Sequence, residues 1–287
     1  MPAYARVLID ADAVIEAQDA EAPVPWWSFG KTIIAATALR LAELGRLSLD
    51  DDAQGYSLRQ VLRHEAGLKD YGPLPAYHQA VAAGDTPWPA AELRRRAGAD
   101  THAFPPGQGW AYSNIGYLEA RQRIETAHPG TLEAAARQLI FEPLGVTARL
   151  ALAEDDLDGV EMGPARGYHP GWVYHGLFVG SLAEAARLLA GLLGPNSPLQ
   201  ASSLAAMRQS RALPQFAGPV WKAPSYGLGL MRSTIEGGFV AEGHTGGGPG
   251  SAIAVYGRED RAGRVAAVFA LEGAGIDPEA EAARLLA

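Results

Sequence analysis

Ser28 and Lys31 stand three positions apart at the start of a long apolar segment. Residues at positions i and i+3 share one face of a helix, so the lysine nitrogen can reach the serine hydroxyl. A serine hydroxyl is a weak nucleophile until an adjacent base takes its proton. The chain has three lysines in total, and the S-x-x-K spacing of this one predicts a serine that attacks a carbonyl group while the lysine handles its proton.

The segment that follows Ser28 predicts a buried helix. Apolar residues lie almost all round it, and Gly45 is a natural C-terminal stop. If Ser28 opens this helix, the unpaired backbone N–H groups of the first turn favour negative charge that develops on a reacting oxygen.

Two further segments carry residues of the same chemistry. Tyr112 and Asn114 form a Y-x-N element, and residues 243–251 read G-H-T-G-G-G-P-G-S between two strand-like segments. Together with S-x-x-K, these elements resemble the serine hydrolases related to class C β-lactamases, a group that includes D-Ala-D-Ala peptidases, D-amino-acid amidases and carboxylesterases. Residues 62–68 (LRHEAGL), 143–145 (PLG) and 226–229 (YGLG) also resemble segments of that family, in the family's order. The resemblance covers roughly residues 20–270.

The resemblance implies a role for each matching residue. The catalytic residues would be Ser28 as nucleophile, Lys31 as its proton partner and Tyr112 as a second base or acid that protonates the leaving group. The substrate-binding residues would be Asn114, His244, Thr245 and Gly246, and the backbone N–H groups of Ser28 and Gly247 would form the oxyanion hole.

Two of these groups need an altered acidity. Tyrosine and lysine side chains with pKa values near 10 are poor bases at neutral pH. We expect the apolar helix around Lys31, and a cation beside Tyr112, to lower both pKa values.

His244 stands where many relatives carry a lysine. A lysine there is a permanent cation that can hold a substrate carboxylate, whereas a histidine with a pKa near 6.5 is mostly neutral at pH 7.5. Some D-peptidases also carry H-T-G, so the substitution argues against β-lactam substrates without excluding them.

Composition limits the other functions. A formal net charge of −8 argues against nucleic acid as a partner, and we interpret Arg94, Arg95 and Arg96 as a solvated helix face. The chain has no cysteine and no H-E-x-x-H motif, so we expect no disulfide, metal or other cofactor. No apolar stretch has the length of a signal peptide or a membrane span, so we expect a cytoplasmic protein without a membrane partner.

Strand-like segments lie near both ends of the chain, at residues 5–9, 14–17, 226–233, 239–244, 251–256 and 264–271. Between them the pattern is mostly helical, with a Ser181–Glu184 capping box, and a final helix is expected over residues 279–286. We therefore predict an α/β (α+β) fold in one β-lactamase/transpeptidase-like domain over residues 1–287. Its antiparallel sheet, built from residues 1–50 and 220–287 and flanked by helices, would carry an inserted helical part over residues 51–219.

The sequence thus predicts a cofactor-free serine hydrolase that forms an acyl-enzyme with a small-molecule ester or amide. The expected activity is that of a carboxylesterase or a D-amino-acid amidase or peptidase, with β-lactamase or penicillin-binding activity as the alternative. Two functions from other classes stay open: an acyltransferase and a non-catalytic ligand-binding module. His169 and His175 could line the cleft, but we favour an interpretation as loop histidines with structural hydrogen bonds. The sequence does not indicate an oligomeric state.

Overall fold

The computed structural model describes residues 3–11, 13–52 and 54–287. The strands within these ranges are β1 (Tyr4–Asp10), β2 (Ala13–Gln18), β3 (Pro23–Pro25), β4 (Arg149–Ala151), β5 (Leu177–Ser181), β6 (Arg211–Ala212), β7 (Ser225–Tyr226), β8 (Met231–Thr234), β9 (Val240–Gly248), β10 (Ser251–Arg258) and β11 (Arg261–Leu271). The α-helices are α1 (Gly30–Glu43), α2 (Leu58–Leu62), α3 (Pro75–Ala83), α4 (Ala90–Ala97), α5 (Asn114–Ala127), α6 (Leu132–Ala136), α7 (Glu142–Leu144), α8 (Leu182–Leu193), α9 (Ala201–Arg208) and α10 (Pro278–Leu286).

The two ends of the chain meet in one antiparallel sheet. Among the described residues its strand order is β2-β1-β11-β10-β9-β8-β7-β6, and β1 pairs with β11 from Tyr4↔Ala270 to Ile9↔Val265. The sheet is flanked by helices, which confirms the predicted fold class. The sequence also predicts a hairpin turn over residues 10–13, between the segments at 5–9 and 14–17, and Asp12 of that turn lies outside the described residues.

Strand β11 is buried on both faces. Val265, Ala267 and Phe269 belong to the core that includes α1 and α8, while Ala266 and Val268 face a second core closed by α10. Successive strand residues point to opposite faces, so a strand covered on both sides needs a continuous apolar run. This explains why β11 lacks the polar alternation of a half-exposed strand.

A small sheet that the sequence did not predict sets the path of the chain just before Ser28. Strand β5 pairs with β3 and β4, and the backbone N–H of Trp26 then donates to the Phe178 carbonyl at 2.8 Å. A Cβ atom at Gly180 would lie 2.8 Å from the Trp26 ring, so glycine is needed there. Short strands of three to five residues carry too weak a pattern to be recognised in the sequence.

The strand predicted over residues 226–233 is wrong in its middle. The chain turns between β7 and β8, with Gly229 at a φ of +62°, and the Gly229 carbonyl accepts a 2.7 Å hydrogen bond from the Thr32 hydroxyl of α1. A Cβ at Gly229 would lie 2.6 Å from the Lys31 carbonyl oxygen. The turn therefore packs directly against the first turn of α1.

Helix α8 begins at the predicted cap, but the capping box is half formed. The Ser181 hydroxyl accepts from the Glu184 N–H at 3.1 Å, whereas the Glu184 carboxylate accepts from the Thr147 N–H at 2.6 Å. Asp277 caps α10 by accepting from the Glu279 N–H at 3.0 Å.

A buried carboxylate holds β9 against its neighbours. Glu242, whose side chain is 2% exposed, lies 2.6 Å from Arg208 of α9 and 3.3 Å from Arg232 of β8. Both arginines thus link the strand that carries His244 to adjacent elements.

We predict that Glu242→Ala lowers the free energy of unfolding by roughly 3 kcal/mol, because it removes the buried carboxylate that pairs with the partly buried Arg208 and Arg232. Glu92→Ala is the matched control, since it removes a carboxylate that pairs with Arg95 and Arg96 on the solvent-facing side of α4. Urea denaturation measures both changes, and equal effects of the two substitutions would contradict the prediction.

Candidate active site

Ser28 lies in a single 3₁₀ turn, Trp27–Phe29, that leads into α1. The preceding residue, Trp27, has a φ of +39°, a left-handed conformation that costs a bulky residue about 1–3 kcal/mol. Its ring nitrogen donates to the Ser251 hydroxyl at 3.0 Å, and the ring is buried. Packing of Trp27 thereby maintains the sharp turn that presents Ser28.

Ser28 opens into a cavity of about 740 Å³. Tyr112, Asn114, His175 and Gly247 line the same cavity. The structure thus brings most of the predicted catalytic and oxyanion-hole residues to one place, although they come from distant parts of the chain.

Lys31 is fully buried beside Ser28. Its Nζ lies 3.0 Å from Ser28 Oγ and 2.7 Å from Asn114 Oδ1. Burial away from water lowers the pKa of Lys31 to about 7, although the negative charge of Asp70 acts in the opposite direction. A substantial neutral fraction is therefore present at neutral pH, so this amine can accept a proton from Ser28.

The phenol of Tyr112 behaves differently from the expectation. Burial raises the pKa of Tyr112 above its usual range, although the nearby Ser28 hydroxyl acts in the opposite direction, so the prediction of a lowered pKa is wrong. The Lys31 nitrogen lies 4.8 Å from the centroid of the Tyr112 ring, over its face. A cation over the ring face does not lower the pKa of the phenol enough to offset the effect of burial, which disfavours the charged phenolate. Tyr112 is thus a protonated donor at neutral pH.

A helix cap places Tyr112 and Asn114 on either side of one residue. The Ser113 hydroxyl accepts from the Gly116 N–H at 3.0 Å and so caps α5. The Asp70 carboxylate accepts from the Asn114 backbone N–H at 2.8 Å and from its side-chain amide at 3.1 Å. These bonds turn the amide oxygen of Asn114 toward Lys31.

Asp70 was missed by the sequence analysis. It follows the segment 62–68, but no spacing relates it to Lys31 or Asn114 in the chain. Its role as the anchor of Asn114 depends on contacts between separate elements.

The ring of His64 packs against the ring of Tyr112. The two ring centroids are 4.3 Å apart, and His64 Nδ1 accepts from the Ser113 N–H at 3.1 Å. Burial and the nearby Lys31 charge hold the pKa of His64 well below its usual range. The ring is therefore neutral, and it packs against the tyrosine without competing for its proton.

The structure separates the two loop histidines. His169 Nδ1 accepts from the Gly171 N–H at 3.0 Å, as expected of a structural loop residue. His175 instead reaches the site, where its Nε2 lies 3.3 Å from Lys31 Nζ. Burial lowers the pKa of His175 well below its usual range, so a neutral ring helps to enclose the amine.

The side chain of His244 does not reach the cavity. It is fully buried, with Nδ1 donating to the Thr245 carbonyl at 2.6 Å and Nε2 accepting from the Tyr226 hydroxyl at 3.0 Å. Burial lowers the pKa of His244 to about 3. The ring is thus neutral and enclosed, so it is not placed to contact a substrate directly.

The residues after His244 form the strand edge beside Ser28. The Thr245 hydroxyl bonds the Tyr256 hydroxyl at 2.8 Å and the Glu279 carboxylate at 2.5 Å. A Cβ at Gly246 would lie 2.6 Å from the Ser28 backbone nitrogen, so glycine permits the close approach of β9 to the nucleophile turn. Gly247 is exposed and lines the cavity with Ser28.

The described residues contain no group of three or more His, Cys, Asp or Glu side chains that could hold a metal ion. Within the same residues, no helix is long and apolar enough to cross a membrane. What the site offers is a serine hydroxyl, a buried amine with a pKa of about 7 and a protonated phenol.

The family model described as Beta-lactamase matches residues 10–287 of this chain, which confirms the resemblance found in the sequence. A comparison with functionally curated proteins finds no match.

Solved structures share the fold. A D-stereospecific amidohydrolase from Streptomyces sp. is 20% identical with a TM-score of 0.76, covering 94% of this chain and 89% of that one. A penicillin-binding protein homologue from Pyrococcus abyssi, described as octameric, is 20% identical with a TM-score of 0.81, covering 99% and 72%. A D-amino acid amidase from Ochrobactrum anthropi is 18% identical with a TM-score of 0.78, covering 96% and 90%. At these identities the likeness establishes the fold alone.

We predict that Lys31 titrates with a midpoint near pH 7, because burial disfavours its charged form. Carbon-13 NMR of protein labelled at the lysine Cε measures this midpoint directly. The spectrum is simple, because the chain has two lysines besides Lys31. Lys31→Met assigns the resonance by removing it.

Asp70→Asn should move the Lys31 midpoint to lower pH, because the Asp70 charge favours the ammonium form. Asp100→Asn, at an exposed position, removes the same charge and should leave the midpoint in place. A Lys31 midpoint near the ordinary lysine value of about 10.4 would refute the prediction.

Proposed function

The chain belongs to the β-lactamase family of serine hydrolases, enzymes that cleave amide or ester bonds, and we propose that Ser28 is its nucleophile in an acyl-enzyme mechanism. The observation that carries this proposal is the buried amine of Lys31, 3.0 Å from Ser28 Oγ, with its pKa lowered to about 7. A base is most effective when its pKa lies near the working pH.

Acylation begins when Ser28 Oγ attacks the substrate carbonyl carbon. The Oγ proton passes to the neutral amine of Lys31, and the carbonyl oxygen becomes an oxyanion. Ser28 and Gly247 line the same cavity, and their backbone N–H groups would stabilise that charge.

The leaving group departs with a proton from Tyr112. The phenol suits this role because burial keeps it protonated and because Tyr112 lines the same cavity as Ser28. The Lys31 ammonium, formed in the first step, then returns a proton to Tyr112. The carbon–oxygen or carbon–nitrogen bond of the substrate has broken, and the acyl group is an ester of Ser28.

Deacylation follows the same chemical steps, with water as the nucleophile. A water molecule attacks the acyl ester, gives its proton to the amine of Lys31 and leaves a carboxylic acid, while Ser28 Oγ recovers its proton. The Asn114 amide donates one N–H to Asp70, so its second N–H would donate on the acyl side, while its oxygen accepts from Lys31. An acceptor alcohol or amine in place of water would make the protein an acyltransferase.

Several features favour a small ester or a D-amino-acid-type amide as the substrate. Two proteins of the same fold are a D-stereospecific amidohydrolase and a D-amino acid amidase. The neutral, enclosed ring of His244 presents no cation for a substrate carboxylate, which argues against β-lactams as the main substrate. β-Lactamase or penicillin-binding activity is therefore the second candidate.

We predict that brief mixing with p-nitrophenyl butyrate gives an acyl adduct on the intact protein, detected by mass spectrometry. Ser28→Ala should abolish the adduct and lower p-nitrophenol release by at least about 10³-fold. Ser202→Ala, which removes an exposed hydroxyl from α9, should react like the wild type. An adduct that persists in Ser28→Ala would exclude Ser28 as the nucleophile.

A separate prediction concerns Tyr112→Phe. Proton donation matters most for a poor leaving group, so this substitution should slow amide hydrolysis by about 10²–10⁴-fold and p-nitrophenyl ester hydrolysis by much less. Steady-state kcat/KM for both substrates measures the difference. Tyr77→Phe, which removes another cavity hydroxyl, is the control and should affect both substrates alike. Equal losses for ester and amide in Tyr112→Phe would argue that the phenol does not donate that proton.

A further inference from the structure

A second cavity, of about 460 Å³, shares the side chain of Tyr112 with the nucleophile cavity. Its walls are largely aromatic, and Trp110, Phe216, Trp221, Tyr226 and Tyr256 all contribute to them. The catalytic steps described above use none of these five side chains.

Tyr112 lines both cavities, whereas Ser28 and Asn114 line the first. In the proposed mechanism Asn114 binds the acyl side and Tyr112 protonates the leaving atom. A substrate with its carbonyl carbon at Ser28 therefore keeps its acyl group in the first cavity. Its leaving group then extends past Tyr112 toward the second cavity. This orientation of the substrate rests on the proposed function.

The carboxylate of Glu279 lies in the wall of the second cavity. The Trp221 ring N–H donates to one of its oxygens at 2.6 Å, and the Thr245 hydroxyl bonds the other at 2.5 Å. Both partners are neutral, so they orient the carboxylate without cancelling its charge. Each oxygen keeps capacity for a further hydrogen bond.

The one arginine in this wall among the described residues is already neutralised. Arg232 lies 3.3 Å from Glu242 and 2.5 Å from Glu259, and its third nitrogen donates to the Arg208 carbonyl at 3.0 Å. The uncompensated charge in the cavity is therefore that of Glu279. Aromatic faces carry negative electrostatic potential and attract cations, so the walls and the carboxylate favour the same kind of guest.

We propose that the second cavity binds a leaving group that carries a positive charge next to an aromatic or alkyl part. The substrate class is an ester of an ammonium-bearing alcohol, or an amide of a diamine. In its hydrolysis the bond from the acyl carbon to the leaving oxygen or nitrogen breaks, the leaving atom takes the Tyr112 proton, and water supplies the hydroxyl of the acid. A leaving group with a carboxylate is repelled by Glu279.

Binding is tested without turnover by an NMR titration of the intact protein with benzyltrimethylammonium chloride at low salt. We expect this cation to bind more tightly than benzyl alcohol, and sodium benzoate to bind least. Glu279→Gln keeps the side-chain shape and should weaken binding of the cation about tenfold. Glu236→Gln removes the same charge from an exposed turn and should leave it unchanged.

Turnover is tested with butyrate esters of three phenols that differ in charge: 3-hydroxyphenyltrimethylammonium, phenol and 3-hydroxybenzoate. The ratio of kcat/KM for the cationic to the anionic ester should fall about tenfold in Glu279→Gln and stay constant in Glu236→Gln. The uncharged ester measures the effect of each substitution that does not depend on substrate charge, and the other two rates are compared with it.

The two experiments separate the proposals. Cation binding that depends on Glu279, in a protein that hydrolyses none of the esters, would support the cavity and overturn the hydrolase assignment. Hydrolysis that depends on Ser28, with no cation binding or with the same binding in Glu279→Gln, would overturn the cavity proposal and keep the hydrolase.

Discussion

The desolvation of one amine controls this site. A lysine in water is a cation that cannot accept a proton near neutral pH, and only removal from water brings its pKa to about 7. The surroundings of Lys31 are consistent with this: the histidines near it, His64, His175 and His244, are all held neutral by burial. The Asp70 carboxylate limits the effect, and it also fixes Asn114, which accepts a hydrogen bond from the amine.

The fold supplies the enclosure that this desolvation requires. Helix α1 is buried along most of its length and carries Lys31 into the core, while the turn after Tyr226 closes over its first residues. Strand β9 closes the other side, because Gly246 lets its backbone approach the nitrogen of Ser28. The small sheet of β3, β4 and β5 then directs the chain into the strained turn at Trp27, so Ser28 stays at the edge of the enclosed region and faces the cavity.

Two neighbouring residues of β9, His244 and Thr245, determine which charges lie beside the cleft. His244 turns inward and is neutral, so it adds no charge to the surface where a substrate lies. Thr245 turns to the opposite face and holds the Glu279 carboxylate beside the aromatic cavity. The buried ring of His244 and the carboxylate of Glu279 thus make the charge beside this part of the strand negative. We therefore expect substrate choice in this protein to depend on Glu279 and the aromatic walls around it.

The sequence by itself determined the fold class, the family and the identity of Ser28, Lys31, Tyr112 and Asn114 as the residues to consider. Helical spacing was enough to pair Ser28 with Lys31, whereas the family, Tyr112 and Asn114 came from the resemblance of several short motifs to known serine hydrolases. Tertiary structure decided the rest: the raised pKa of Tyr112, the inward orientation of His244, the contact of His175 with Lys31 and the anchoring role of Asp70. Each of these depends on burial or on contacts between elements far apart in the chain, and neither has a local pattern that a sequence can display.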